Sequence, residues 1–204
     1  MAQERYELPP ERLGRWLDRW ADAHGGVAAT DAAAERVTLT AADGAVVECE
    51  PPFPPLSGDL LAHVAVERTV GVLLVRLGGH AAGVFRGRRL VDSKVDTRLV
   101  HGRHRAGGSS ANRFARRRSG QARVALQAAA GIAVRVLAGP AERGELDAIV
   151  LGGDRRALAE VLEDTRLAAV RALAVERVLE VGDPRLKLLE AAPDRFLATV
   201  VRPR

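Results

Sequence analysis

The chain has 204 residues, 47% hydrophobic and only 3% aromatic, enough apolar material for one medium domain or a larger domain with a small appendage, its core built from Leu, Val and Ala. The single cysteine, Cys49, excludes an internal disulfide and a cysteine-based zinc site, and Glu4, Glu7 and Glu11 interrupt any signal-peptide pattern at the N-terminus. The net charge of +5 is modest, and the longest apolar stretch of the C-terminal half, Val124 to Val134, contains Gln127 and stops at Arg135, short of a bilayer span; the expectation is a cytoplasmic protein with no membrane partner.

Pro9-Pro10-Glu11 opens a helix, since proline and an acid suit a first turn. Leu13, Trp16, Leu17 and Trp20 continue it at helical spacing until Gly25-Gly26. Two short strands follow, near Arg36 to Thr40 and Ala45 to Glu50, with Asp43-Gly44 as the hairpin turn. Pro51-Pro52-Phe53-Pro54-Pro55 can be neither helix nor inner strand and reads as a stiff linker. Beyond it Thr69 to Leu77 is an apolar strand, Gly78-Gly79 a turn, Ala81 to Arg86 a second strand and Arg89 to Leu99 a third. Then Ala122, Ala125, Leu126, Ala129, Ala133, Val136 and Leu137 repeat on one face of a long helix ended by Gly139-Pro140. Leu146 to Leu151 is a buried strand, Gly152-Gly153 a turn and Asp154 the cap of a helix through Leu162. A strand near Arg177 to Val181, a short helix after Asp183-Pro184 and a last strand, Phe196 to Val201, complete the chain. Strands alternating with helices predict an α/β (α+β) fold: a layered mixed β-sheet flanked by helices over residues 58–204, preceded by a helix and β-hairpin module over residues 1–57 that ends in the proline-rich linker.

Charge is distributed unevenly. From Thr97 to Ala141 there is no Asp or Glu, while the same 45 residues hold nine arginines, so this window carries +9 and the remainder −4. A solvated loop accounts for exposed charge, but not for complete exclusion of carboxylates. One basic block on a slightly acidic protein is the footprint expected for a polyphosphate partner.

The centre of that block reads His101-Gly102-Arg103-His104-Arg105-Ala106-Gly107-Gly108-Ser109-Ser110-Ala111-Asn112-Arg113-Phe114-Ala115-Arg116-Arg117-Arg118. It resembles the catalytic loop in the middle domain of the eukaryotic and archaeal class-1 peptide-chain release factors, which carries Gly-Gly-Gln-Ser-Ala-x-Arg-Phe-x-Arg-x-Arg after a basic His-Gly-Arg stretch. Gly107, Gly108, Ser110, Ala111, Arg113, Phe114, Arg116 and Arg118 match. The resemblance extends more weakly over roughly Val66 to Val200. It is closest to the related ribosome-rescue branch, the Vms-like release factors, in a bacterial form; the loop of that branch reads Gly-Gly-Ser-Gln, and a short chain suits it better. Both groups place a glutamine at the reactive tip. Here Ser109 takes its place in the first alignment and Ser110 in the second. Gln121 lies roughly 16 Å farther along a helix, too far to substitute.

The resemblance implies hydrolysis of the ester between a nascent peptide and tRNA, with Gly107, Gly108, Ser109 and Ser110 at the reacting end. The implied partners are RNA of the large ribosomal subunit and the peptidyl-tRNA acceptor end, with no metal or cofactor. Paired glycines permit close backbone approach, and a peptide N–H at such a tip can stabilise developing charge whatever side chain follows. A covalent serine needs a base and an orienting acid; His101 and His104 are near, but no carboxylate lies in the window. Arg103, His104, Arg105, Arg113, Arg116, Arg117 and Arg118 are the expected RNA contacts. Arg113, Arg116 and Arg117 share a helix face at i, i+3 and i+4. Gly152-Gly153-Asp154 is read as a tight turn and helix cap in preference to a phosphate-binding turn. The alternative function is a ribosome- or tRNA-binding factor that keeps the docking loop and lacks the chemistry.

Overall fold

The computed structural model describes residues 4–76, 79–97 and 111–204, with side chains described outside positions 97 and 111–119. In chain order the strands and helices are β1 Tyr6–Leu8, α1 Pro10–Ala23, β2 Val27–Ala33, β3 Arg36–Ala41, β4 Val46–Glu50, α2 Leu60–Ala65, β5 Thr69–Arg76, β6 Gly79–Arg86, β7 Arg89–Thr97, α3 Ala111–Ala133, α4 Gly139–Glu142, β8 Ala148–Gly153, α5 Arg155–Leu162, α6 Ala168–Ala172, β9 Ala174–Leu179, α7 Leu186–Glu190, α8 Pro193–Phe196 and β10 Thr199–Pro203. They form two compact units, Met1–Glu67 with Ala192–Arg204, and Arg68–Ala191.

The first unit is an antiparallel sheet in the order β1-β10-β4-β3-β2. Alternation along β3 and β4 puts Val37, Ala41, Val47 and Cys49 on one face, where Leu13 and Trp20 of α1 and Leu60 and Val64 of α2 bury them. The opposite face carries Arg36, Glu48, Glu50, Arg202 and Arg204, joined as cross-strand ion pairs. As expected, α1 begins at Pro10 with Glu11 in its first turn, and Asp43-Gly44 turns the hairpin, where Asp43 Oδ1 accepts the Ala45 N–H at 2.9 Å. The proline-rich segment, however, is built into this unit. Phe53 is buried edge-on against Phe196 with ring centroids 6.2 Å apart, and the Leu56 N–H donates to the Ala34 carbonyl at 2.6 Å. His63, 2% exposed, fixes the segment from beneath: its Nδ1 accepts the Ser57 N–H at 3.1 Å and its Nε2–H donates to the Pro52 carbonyl at 2.9 Å. A backbone N–H only donates and a carbonyl only accepts, so these partners select the neutral Nε2–H tautomer.

The division expected from sequence, 1–57 and 58–204, therefore differs from the observed units in two places. The break falls after Glu67, because α2 belongs to the first core. The last strand joins the first sheet, because β10 pairs with β1 and β4 and buries Val201 there. Phe196 also ends α8 and is not part of the final strand. Two strands escaped the periodicity. β1 is three residues long, and all seven residues of β2 are exposed, leaving no apolar alternation to read.

The second unit is the layered mixed α/β sheet expected, in the order β7-β6-β5-β8-β9. The β5–β6 and β6–β7 pairs are antiparallel; the β5–β8 and β8–β9 pairs are parallel. Leu73, Val75, Ala82, Val84, Ile149 and Leu151 form one inner face. Ala129, Ile132, Ala133, Val136 and Leu137 cover it from the long helical stretch, and Leu158, Val161, Leu167 and Val170 cover it from the helices that follow. Each fully buried Leu contributes on the order of 2 kcal/mol by removal from water.

The long helix does not stop at Gly139-Pro140. After α3 the chain makes a five-residue π turn, Val134–Ala138, and continues as α4 to Glu142. Pro140 has no N–H for an i→i−4 bond and its ring would press on the carbonyl four residues back; the wider turn immediately upstream accommodates it. The helical stretch Gly120–Glu142 is consequently longer than the run read from sequence. By length and composition it is long and apolar enough to cross a membrane, whereas the apolar stretch read from sequence, Val124 to Val134, is too short. In this fold its apolar stripe is occupied by the sheet, as the burial of Ala129, Ala133, Val136 and Leu137 shows.

Candidate functional site

Strand directions in the second unit define where the basic block emerges. β5, β7, β8 and β9 all end at one edge of the sheet, where β6 begins. β7 stops at Thr97 on this edge, and α3 starts at Ala111 before running across the sheet toward the start of β8. In the sequence the candidate segment lies between the end of β7 and the start of α3. Gly107, Gly108, Ser109 and Ser110, with Arg103, His104 and Arg105, lie outside the described residues. Arg113, Arg116, Arg117 and Arg118 fall within α3, whose backbone is helical as expected and has no acid in its first turn.

Two features at the root of this edge escaped the sequence reading. His80 stands opposite Asp96 in the β6–β7 ladder, one rung inside the terminal Gly79–Thr97 rung. The imidazole is 2% exposed, and its Nε2 lies 3.6 Å from the Asp96 Oδ2, while the Asp96 side chain remains 36% exposed. Ala82 and Val84, two and four positions farther along β6, belong to the core beneath the long helix, so His80 lies on that same face. Its burial excludes proton transfer to a solvent-borne substrate and leaves a structural or positioning role. The available signal was a lone histidine at an inward position of an otherwise apolar strand, with an acid at the matching position of the next strand. The second feature is Arg76, at the end of β5. Its Nη1 donates to the Val181 carbonyl at 2.6 Å, tying the ends of β5 and β9 across the sheet edge.

The Gly152-Gly153-Asp154 turn lies on the same edge and is structural, as expected. Asp154 Oδ1 accepts the N–H groups of Arg156 at 2.9 Å and Ala157 at 3.0 Å, so the carboxylate occupies the first turn of α5 where an anion would otherwise bind. Gly153 has φ +107°, and a Cβ there would stand 2.1 Å from the Val75 carbonyl oxygen. Among the described residues no group of three or more His, Cys, Asp or Glu side chains could hold a metal ion. Cys49 belongs to the first unit, where burial pushes its thiol up to about 12, far from the ionised state a nucleophile requires.

No curated protein matches the chain by sequence. Among solved structures it is similar to an archaeal protein at 18% identity with a TM-score of 0.43, covering 76% of this chain and 48% of that one. It is also similar to the archaeal translation termination factor aRF1, at 15% identity and 0.48, covering 95% and 66%, and to Pelota of Archaeoglobus fulgidus, at 12% and 0.33, covering 96% and 64%. The chain spans about half to two thirds of the length of these proteins. The family model described as Actinobacteria/chloroflexi VLRF1 release factor matches residues 68–202, which take in the whole second unit, the Gly107–Ser110 segment and all but the last residue of β10. With two thirds of its length matched by that model, the chain belongs to the Actinobacteria/chloroflexi VLRF1 release factor family.

Proposed function

We propose that this chain is a peptidyl-tRNA ester hydrolase that acts in peptide release or rescue of stalled ribosomes on the large subunit, in the cytoplasm. The observation that carries the reading is that the Gly107-Gly108-Ser109-Ser110 motif and its arginines fall within the residues matched by a release-factor family model. Water attacks the ester carbonyl, and the peptide leaves as a carboxylate while the tRNA ribose regains its hydroxyl. The chain contributes by holding the water and donating hydrogen bonds to charge that develops on oxygen. Gly107 and Gly108 let peptide N–H groups approach the ester, and Ser109 or Ser110 presents a hydroxyl where relatives carry an amide. Arg103, His104, Arg105, Arg113, Arg116, Arg117 and Arg118 engage phosphates of ribosomal RNA and the acceptor strand. Helical periodicity supports the last group: positions 113, 116 and 117 of α3 lie roughly 180° around the axis from the buried stripe at Ala129 and Ala133.

Serine in place of glutamine favours a second reading, a ribosome- or tRNA-binding factor that docks without hydrolysis. Both readings require salt-sensitive RNA binding, so binding does not separate them. Single-turnover release of peptide from peptidyl-tRNA on large subunits does. The wild type is expected to hydrolyse the ester, Gly108→Ala to lose most of the rate, and Ser109→Ala to separate the hydroxyl from the backbone contribution. Turnover by the wild type no faster than buffer would establish the binder.

A further inference from the structure

The β6–β7 hairpin closes at the edge of the second unit's sheet opposite to the one where β7 ends, roughly 25 Å away along β6. From Phe85 to Val91 it reads Phe-Arg-Gly-Arg-Arg-Leu-Val, three arginines and no acid. The turn itself requires none of the three. Gly87, at φ +57°, supplies the left-handed conformation that a tight hairpin needs, and its N–H donates to the Arg68 carbonyl at 2.9 Å, which fixes the turn beside the start of β5. The core does not require them either, since it closes at fully buried Phe85, one rung earlier.

Arg86 and Arg89 form the last rung of the ladder, directly opposite each other, so both side chains leave the same side of the ribbon. Like charges in one rung repel, and on its other flank Arg86 stands opposite only Thr69. Asp147, next in register beyond Thr69, accepts the Thr69 N–H at 2.6 Å and lies beside Arg68. Among the described residues neither Arg86 nor Arg89 has an ion-pair partner, and both are exposed. An anion between two such guanidiniums removes the repulsion, and their planar forks match phosphate oxygens. With Phe85 buried, the tip offers no ring to stack on a base, so it suits a nucleic-acid backbone and reads no sequence.

We infer that the Arg86–Arg89 rung is an RNA contact that grips backbone phosphates of a duplex, contributed by residues outside the Gly107–Ser110 block. RNA is the polyanion because the chain belongs to a release factor family. The inference rests on the RNA partner of the function proposed above and needs no hydrolysis.

Its test is titration of a short labelled RNA duplex with the full chain, followed by fluorescence anisotropy across a salt series. Arg86→Gln/Arg89→Gln should lower the slope of log affinity against log salt by about 1.4–1.8, the share of two phosphate contacts, and weaken binding about 10- to 30-fold at about 0.15 M salt. Arg86→Lys/Arg89→Lys keeps both charges and should hold the slope within about 0.5 of the wild type. Arg12→Gln/Arg15→Gln, which removes the same charge from the exposed side of α1, should do likewise. A glutamine pair with the wild-type slope overturns the inference, and so does an equal loss from the α1 pair, which would reduce the effect to net charge. A lysine pair as weak as the glutamine pair would make the loss structural and overturn it too. Should the glutamine pair fail to fold, Arg89→Gln decides alone, with half the change in slope. Weaker binding to anionic lipid vesicles with RNA binding unchanged would assign the hairpin to a membrane surface instead. Peptide release separates the two readings: a wild type that releases nothing but shows the slope change loses the hydrolase reading and keeps this contact, whereas release with an inert hairpin refutes the contact alone.

Discussion

Replacing Gly153 with alanine tests the account of the sheet edge most directly. At φ +107° an L side chain is strained by about 1–2 kcal/mol before any contact is considered. The added methyl would sit 2.1 Å from the Val75 carbonyl oxygen and 3.0 Å from its carbon, both backbone atoms that no rotamer change can move. Relief requires β5 and the β8–α5 turn to separate by about 1 Å, which breaks the 2.9 Å hydrogen bond from the Asp154 N–H to the same carbonyl, worth about 1 kcal/mol net. The sum is about 2–3 kcal/mol. Gly144→Ala is the matched control in the same unit. Its φ is +68°, but nothing lies within 4 Å of the added atom, so only the conformational cost of about 1 kcal/mol remains. Urea unfolding followed by far-UV circular dichroism, which reports the helices of this unit, measures both. Variants that agree within about 0.5 kcal/mol would refute the clash as the reason for glycine at 153.

Two further outcomes follow from titratable groups. Hydrogen bonds from the Arg166 guanidinium and backbone hold the Asp164 carboxyl at about 2, below its ordinary 3.8. Because the folded value is the lower one, this pair stabilises the native state above pH 3.8 and loses that contribution as pH falls from 3.8 toward about 2. A carboxyl NMR titration should find Asp164 near that lower value and Arg166→Ala should move it upward; an unmoved midpoint would show that the guanidinium is not the cause. Cys49, buried with its thiol pushed up to about 12, should resist a thiol-specific disulfide reagent in the folded protein at mildly alkaline pH and react as the first unit unfolds in urea. Rapid stoichiometric labelling of the native chain would contradict its burial.

Much of the second unit was legible because its strands are short apolar runs bounded by glycine pairs, and its long helix repeats alanine and leucine every three to four residues. The boundaries were less legible. Gly139-Pro140 is a stop signal in local terms, and only a π turn, held in place by the burial of Val136, Leu137 and Ala138, lets the helix continue through it. Pro51 to Pro55 reads as a linker from conformational stiffness, but stiffness does not reveal that Phe53 finds Phe196 far along the chain.

Sequence by itself determined the release-factor resemblance, through the Gly107-Gly108 motif with its ordered arginines, and the segregation of charge around it, since side-chain chemistry and spacing are local properties. Tertiary structure decided what depends on residues far apart in the chain. It returned β10 to the first sheet across some 150 residues, tied Arg76 to Val181 over the strand ends, and set His80 against Asp96 at the root of the basic segment. Register between strands is fixed by the pairing of whole faces, and no periodicity within a single strand reveals which residue will stand opposite.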